Sequence, residues 1–261
     1  MRKLVLPLAF AAASASISTP STAQQAAATP PPPPVTGNIT LASEYRFRGI
    51  DQTFGKPAIQ GGFDYSHASG IYLGNWNSNV SSGAGYPNGN IEMDFYGGYK
   101  HAFGDFGLDV GVIYYAYPGT DPKIDNKEGY IGGSWKFLSA KWFYSFGDYF
   151  KAKGNNGDDT KGTNYLDLAL NYDLGSGWGV VAHWGHLNFK HVSDGSYNDW
   201  KLGVTKDLAG WVFGAAYIGT DAKGDCSTPQ VYCFAQTQPG SAGRTRDAGR
   251  DTIVLSVGKT F

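Results

Sequence analysis

Charge is scarce in this 261-residue chain. Asp, Glu, Lys and Arg make up 16% of it, against about 25% in an ordinary soluble domain. Long apolar runs are missing too. Past the first 15 residues no segment approaches the roughly 18 unbroken apolar residues of a membrane-spanning helix, and the mean hydropathy is -0.31. Helical spans are thereby excluded from the mature chain. Cysteine is almost absent, with only Cys226 and Cys233, which rules out a multi-disulfide framework and a cysteine-built metal centre. No motif calls for a cofactor.

What is abundant is glycine, at 37 residues, and aromatics, at 15%. That mixture suits many short strands joined by tight turns. At the start, Arg2 and Lys3 precede a short apolar run from Leu4 to Ala15. Ser21-Thr22-Ala23 then places small residues where a signal peptidase reads. Residues 1–23 therefore read as a secretory signal cleaved after Ala23. Its removal takes away Arg2 and Lys3 and no acid, so 21 basic residues become 19 against 22 acidic, a net charge of -3. No basic surplus speaks for nucleic acid. In an exported chain, two cysteines with six residues between them imply one disulfide closing a small loop. Residues 24–36, QQAAATPPPPPVT, form an Ala/Gln/Pro-rich linker, a semi-rigid spacer without a core.

From residue 37 to 261 the pattern alternates with period two, the signature of strands with one apolar face. Ile39, Leu41, Tyr45 and Phe47 oppose Thr40, Glu44, Arg46 and Arg48. Ile91, Met93, Phe95 and Tyr99 oppose Glu92, Asp94, Tyr96 and Lys100. Leu166, Leu168, Leu170 and Tyr172 oppose Asp167, Asn171 and Asp173. Trp200, Leu202 and Val204 oppose Asp199, Lys201 and Thr205. Continued to the end, this gives twelve strands. Short connections around residues 68–69, 103–104, 138–139, 175–176 and 208–209 alternate with long polar ones at 49–56, 81–89, 118–127, 151–162, 189–196 and 221–250. Turns short on one side and loops long on the other predict an all-β, antiparallel transmembrane β-barrel of about twelve strands, with both mature termini periplasmic. Tyr99, Trp135, Trp142, Trp178, Trp211 and Phe261 are expected to form one interfacial girdle.

The stretch Ser43-x-Tyr45-x-x-Arg48-Gly49-x-x-Gln52-Thr53, followed by Lys56-Pro57-Ala58-x-Gln60-Gly61-x-x-Asp64-Tyr65, resembles the opening of the TorF-type porin family. Gly70-x-Tyr72-x-Gly74-x-Trp76-x-Ser78-Asn79 and Glu92-x-Asp94-x-Tyr96-Gly97-Gly98-Tyr99 continue the resemblance. It is dense over residues 43–100 and persists mainly as a pattern to Phe261. It implies an outer-membrane barrel of porin type. The terminal Phe261, in an alternating strand, resembles the signal read by the barrel assembly machinery. Lys259 departs from that signal, and near the membrane edge its ammonium can snorkel to water.

An acyl-transfer enzyme needs a Ser held by a His, and no Gly-x-Ser-x-Gly elbow is present. His67 and His101 fall at turns, His191 in a loop, His186 outward and His183 inward, so the chain reads as a non-enzyme. His186, His191 and Asp194 read as a solvated loop, not as a metal site. The acidic tip Gly157-Asp158-Asp159 is suited at most to weak contact with Ca²⁺ or lipopolysaccharide-bound cations.

The inward positions carry charge: Glu44, Arg46, Arg48, Asp64, Glu92, Asp94, Lys100, Asp109, Lys136, Lys141, Asp167 and Lys201, with the polar His183. A Lys or Arg facing lipid at mid-depth costs about 2–4 kcal/mol, so these residues require a wet or tightly paired interior. Twelve strands exceed the eight or so whose side chains alone fill a barrel. The expectation is a narrow pore for small solutes or ions, lined by Glu44, Arg46, Arg48, Asp64, Glu92, Asp94, Asp167, His183 and Lys201. If Arg46 and Arg48 pair with carboxylates, the barrel closes instead. Glu44, Asp94 and Asp167 fall near mid-depth beside Arg46 and Lys201, which predicts weak cation preference led by Asp94. The expected partners are outer-membrane lipid and lipopolysaccharide, the assembly machinery and small solutes. Self-association into a homo-oligomer is left open.

Overall fold

The computed structural model describes residues 34–228, 230–236 and 243–261. The signal segment and residues 24–33 of the linker lie outside the described residues. Twelve strands close into one antiparallel barrel. They are β1 (Val35–Ala42), β2 (Ala58–Ser66), β3 (Ile71–Asn79), β4 (Ile91–Phe103), β5 (Phe106–Ala116), β6 (Asp125–Trp135), β7 (Leu138–Ser145), β8 (Asn164–Gly175), β9 (Trp178–Asn188), β10 (Tyr197–Leu208), β11 (Trp211–Thr220) and β12 (Thr252–Thr260). Each pairs with its neighbours in sequence, and β1 closes on β12 in the register Asn38↔Thr260 to Ala42↔Ser256. Closure leaves no strand edge unpaired, which is what a hydrocarbon surrounding demands. The first strand begins at Val35, two residues inside the predicted linker.

The alternation read from the sequence sorts the side chains as expected. Ile59, Leu73, Val112, Leu202 and Ile253 face outward and are 56–66% exposed. Tyr72, Trp76, Tyr115, Glu128 and Asp199 face inward and are buried. A water-exposed apolar surface on this scale is costly, at about 25 cal/mol per Å², and is relieved only by an apolar surrounding.

The five connections at one end are tight. Ser176-Gly177 and Ala209-Gly210 take positive φ at both positions (52° and 78°, 55° and 82°), the backbone of a two-residue hairpin that follows the strand twist. The turn between β6 and β7 is Lys136-Phe137, two residues before the predicted one. Lys136 takes φ 54° and is not on the inward face. The run Trp135-Lys136-Phe137-Leu138 carries no Gly, Pro or Asn to mark a turn, and its alternation runs on unbroken.

Trp135, Trp178 and Trp211 end or begin strands at these tight turns, and Phe261 exchanges backbone bonds with Gly37 at the same end. Each tryptophan carries a lysine ammonium over its ring: Lys136 at 4.8 Å, Lys206 at 4.9 Å and Lys259 at 5.1 Å. Such pairs anchor a membrane interface, the ring in the headgroup layer and the cation in water. Trp142 departs from the predicted girdle. It pairs with Leu166 and donates to Asn164 Oδ1, 3.4 Å away, at the long-loop end. Strand phase fixes the face a residue takes, but its depth depends on stagger, which the sequence pattern leaves free.

A lumen crossed by an ion-paired hairpin

The main departure from the sequence reading lies just after β1. Alternation continues through Tyr45 and Phe47, which predicted a longer strand with both rings facing lipid. Instead the strand stops at Ala42, and the chain turns into the barrel. Tyr45 and Phe47 are 1% and 7% exposed, inside. Arg46–Phe47 and Ile50–Asp51 pair as a small hairpin, so residues 49–56 are not an external loop. Period two could not separate the two outcomes, because an inward hairpin buries the same rings that lipid would cover. Gly49 at the tip has φ 79°. A Cβ there would lie 2.4 Å from Thr220 Cγ2 and 2.7 Å from Asp199 Cβ, so only glycine allows the tip to press against the β10–β11 wall.

Arginines hold the hairpin at both ends. The Arg46 guanidinium donates to Glu44 (2.9 and 3.0 Å) and to the carbonyls of Gly49, Ala248 and Arg250 (3.0, 2.9 and 3.1 Å). Arg250 donates to Glu44 at 2.5 Å and to Asp51 at 2.9 Å. On the far side, Arg48 forms a fork with Glu128 of β6 at 3.0 and 2.7 Å and donates to the Tyr149 hydroxyl at 3.0 Å. Its guanidinium also lies over the rings of Tyr165 (4.3 Å) and Phe47 (4.8 Å). Both arginines therefore meet the condition for closure set out above. The hairpin spans the lumen from the β12 side to β6.

Below the hairpin the two walls differ. The β2–β7 wall is packed with phenols and ions. Tyr96 donates to Asp64 at 2.7 Å, Tyr72 to Asp109 at 2.6 Å, and Lys141 to Asp109 at 2.7 Å. Tyr72 and Tyr130 share a further hydroxyl contact. The opposite wall is lined by small residues, among them Thr40, Val181, Thr205, Gly214, Ala216 and Ser256. They border a cavity of about 80 Å³ roofed by Glu44, Tyr45 and Arg46. That volume holds a few waters. Beside it, His183 bridges Asp167 (3.2 Å) and Asp199 (2.8 Å), and Tyr165 donates to Asp199 at 2.8 Å. Lys201 lines the cavity.

The predicted lining residues thus divide into three groups. Asp64, Asp167, His183 and Lys201 lie on the inner wall. Glu44, Arg46 and Arg48 lie in the lumen, but on the hairpin. Glu92 and Asp94 point inward, on the hairpin side, and are sealed at 0% exposure, away from the cavity. Glu128, Asp199 and Arg250 join the lumenal ion pairs beyond the expected lining. The first two were legible as inward positions near the long-loop ends of β6 and β10. Arg250 lies at the end of the last loop and carried no signal.

The loops add a cover. Cys226 and Cys233 form the expected disulfide, beside a short hairpin of Cys233–Ala235 and Thr245–Asp247. In the loop after β7, Lys153 reaches Asp148 and Asp159, both at 2.6 Å. The hydrogen bond from Lys153 holds the Asp148 carboxyl below the usual carboxylate range. The His186, His191 and Asp194 motif does not converge: His186 meets Asn198, and His191 meets the Asp159 carbonyl.

No curated protein matches the sequence. Among solved structures, the KdgM porin superposes with a TM-score of 0.51 at 10% identity, over 87% of this chain and 98% of that one. The NanC porin does so with 0.52 at 9% identity, over 87% and 98%. At such identities the likeness establishes the fold, a porin-type twelve-stranded barrel. The Gcw_chp profile, described as a bacterial protein of unknown function, matches residues 25–261. The chain belongs to the Gcw_chp family.

Proposed function

We propose that this chain is an outer-membrane, porin-like channel of a Gram-negative bacterium, not an enzyme, passing small solutes or ions along the small-residue wall. The observation that carries this reading is the contrast between the two surfaces of one closed sheet. Outside is an apolar belt with tryptophan–lysine anchors. Inside are ionised groups that need water or partners. The resemblance of residues 43–100 to TorF-type porins supports the same assignment. Export through a signal over 1–23, insertion by the barrel assembly machinery, contact with lipopolysaccharide and self-association complete the proposal. Proteoliposomes should swell in isotonic solutions of a small sugar at a rate that falls with solute size. Swelling no faster than in protein-free liposomes would sink the reading.

Weak cation preference is retained, with a different carrier. Asp167 has a side chain 35% exposed to the lumen, whereas Asp94 is sealed. The alternative is a closed structural barrel, and the pairing of Arg46 and Arg48 specifically favours it. The two readings differ in whether the hairpin ever leaves the lumen.

A further inference from the structure

The outer face of the barrel is apolar across its middle, with one breach. Outward-facing charged and amide side chains of the twelve strands stand within two residues of a strand end, in reach of headgroups or water, with a single exception among the described residues. That exception is Asn75, four residues from either end of β3. It faces outward between Phe63 and Phe95, its cross-strand partners. The row of paired residues through it fixes its depth. On one side the row passes Phe63 and Gly37 to Phe261, at the tight-turn end. On the other it passes Phe95 and Tyr114 to Lys127, near the long-loop end of β6. Strands tilt by about 35–45°, so such a row climbs through the membrane, and Asn75 lies three strands from each end of it. Asn77, the next outward residue, stands one row higher, flanked by Gly61 and Met93.

The two amides bond each other. Asn77 Nδ2 donates to Asn75 Oδ1 at 2.6 Å, and Asn75 Nδ2 donates to Asn77 Oδ1 at 3.3 Å. Their nitrogens also donate to strand carbonyls, Asn75 to Asp94 at 3.0 Å and Asn77 to Gly61 at 3.3 Å. Two of these four bonds are long, and each amide oxygen accepts one bond where it can accept two. Facing acyl chains, the leftover polarity finds nothing to bond. Headgroups lie about 15 Å from mid-depth, so lipid does not supply the partner. A second copy of the chain does. An amide is donor and acceptor at once, so identical patches satisfy each other about a twofold axis without counter-charge. Gly61 and Gly97, outward beside Asn77 and Leu73, present no side chain and let a second wall approach closely, as small residues do at membrane interfaces. We propose that the outer face of β2–β4 around Asn75 and Asn77 is a homodimer interface. The inference rests on the outer-membrane reading, which makes this face lipid-exposed, and it gives self-association a place on the barrel.

Energy transfer between copies in vesicles tests it. Donor- and acceptor-labelled full chains, each carrying the dye at Asp158→Cys in the exposed loop after β7, are mixed in vesicles of phosphatidylethanolamine and phosphatidylglycerol. Transfer should rise with the protein-to-lipid ratio along a dimer isotherm and fall when unlabelled protein is added. Asn75→Leu with Asn77→Leu should weaken association at least about tenfold, while the heat-modifiable band persists. Met93→Trp, which keeps both amides and obstructs close approach, should weaken it too. Val180→Ala, on β9 across the barrel, should not. Transfer no greater than random mixing, in vesicles that hold heat-modifiable barrels, overturns the interface. So does association that survives the double Leu variant, or equal weakening by Val180→Ala. If the double variant fails to assemble, Met93→Trp decides. A wild-type chain that neither inserts nor shows a heat-modifiable band overturns the outer-membrane reading and the interface with it, a result distinct from a folded monomer.

Discussion

Arg48→Ala tests whether the lumenal hairpin is a movable constriction. Arg48 holds the far end of the hairpin through two bonds to Glu128, one to Tyr149, and the ring faces of Tyr165 and Phe47. Removing one member of a buried ion pair costs about 3–5 kcal/mol, because the other is left uncompensated. Every 1.4 kcal/mol is a factor of about ten. If that cost falls on the closed position of the hairpin, the open population rises by roughly a hundredfold to several-thousandfold. The barrel wall should survive, since its strand ladder does not use Arg48. Macroscopic conductance of a bilayer holding a known number of channels should therefore rise, and the heat-modifiable band should remain. Arg48→Met combined with Glu128→Met removes both charges and should disturb assembly less than either change alone. Conductance of Arg48→Ala indistinguishable from wild type would refute the movable hairpin.

Asp94→Asn should leave the reversal potential across a salt gradient unchanged, whereas Asp167→Asn should shift it towards anion permeability; the opposite outcome would return selectivity to Asp94. Tags placed within residues 221–250 should react with a maleimide applied to intact cells, and tags at the Lys136-Phe137 turn should not. Labelling of the turn alone would invert the topology. Cys226→Ser with Cys233→Ser should still insert, because a loop this small constrains the unfolded chain by no more than about 2–3 kcal/mol and lies in an external segment; failure to reach the membrane would contradict that placement.

The barrel was legible because alternation and loop-length segregation are both consequences of a closed sheet in lipid. Leu166, Leu168 and Leu170 against Asp167 and Asn171 could be placed without any tertiary information. The hairpin was not legible. Tyr45 and Phe47 keep the phase of β1, and burial of Tyr45 against Trp76 and of Phe47 against Tyr115 and Phe150 satisfies them as well as acyl chains would. The polar connection at 49–56 is legible, but nothing local says whether it folds outward or into a lumen. Pairing was illegible for a related reason. Glu128 lies 80 residues from Arg48 and Arg250 lies 206 from Glu44, so only strand stagger brings them together. Depth is illegible in the same way, as Trp142 shows.

Single-channel recording of the wild-type protein in a planar bilayer tests the central claim most directly. Discrete current steps are predicted, smaller than those of wide sixteen-stranded porins because the lumen is narrower and the hairpin crosses it. A membrane that stays silent with both wild type and Arg48→Ala, although heat modifiability shows folded barrels, would contradict the channel and leave a closed structural barrel.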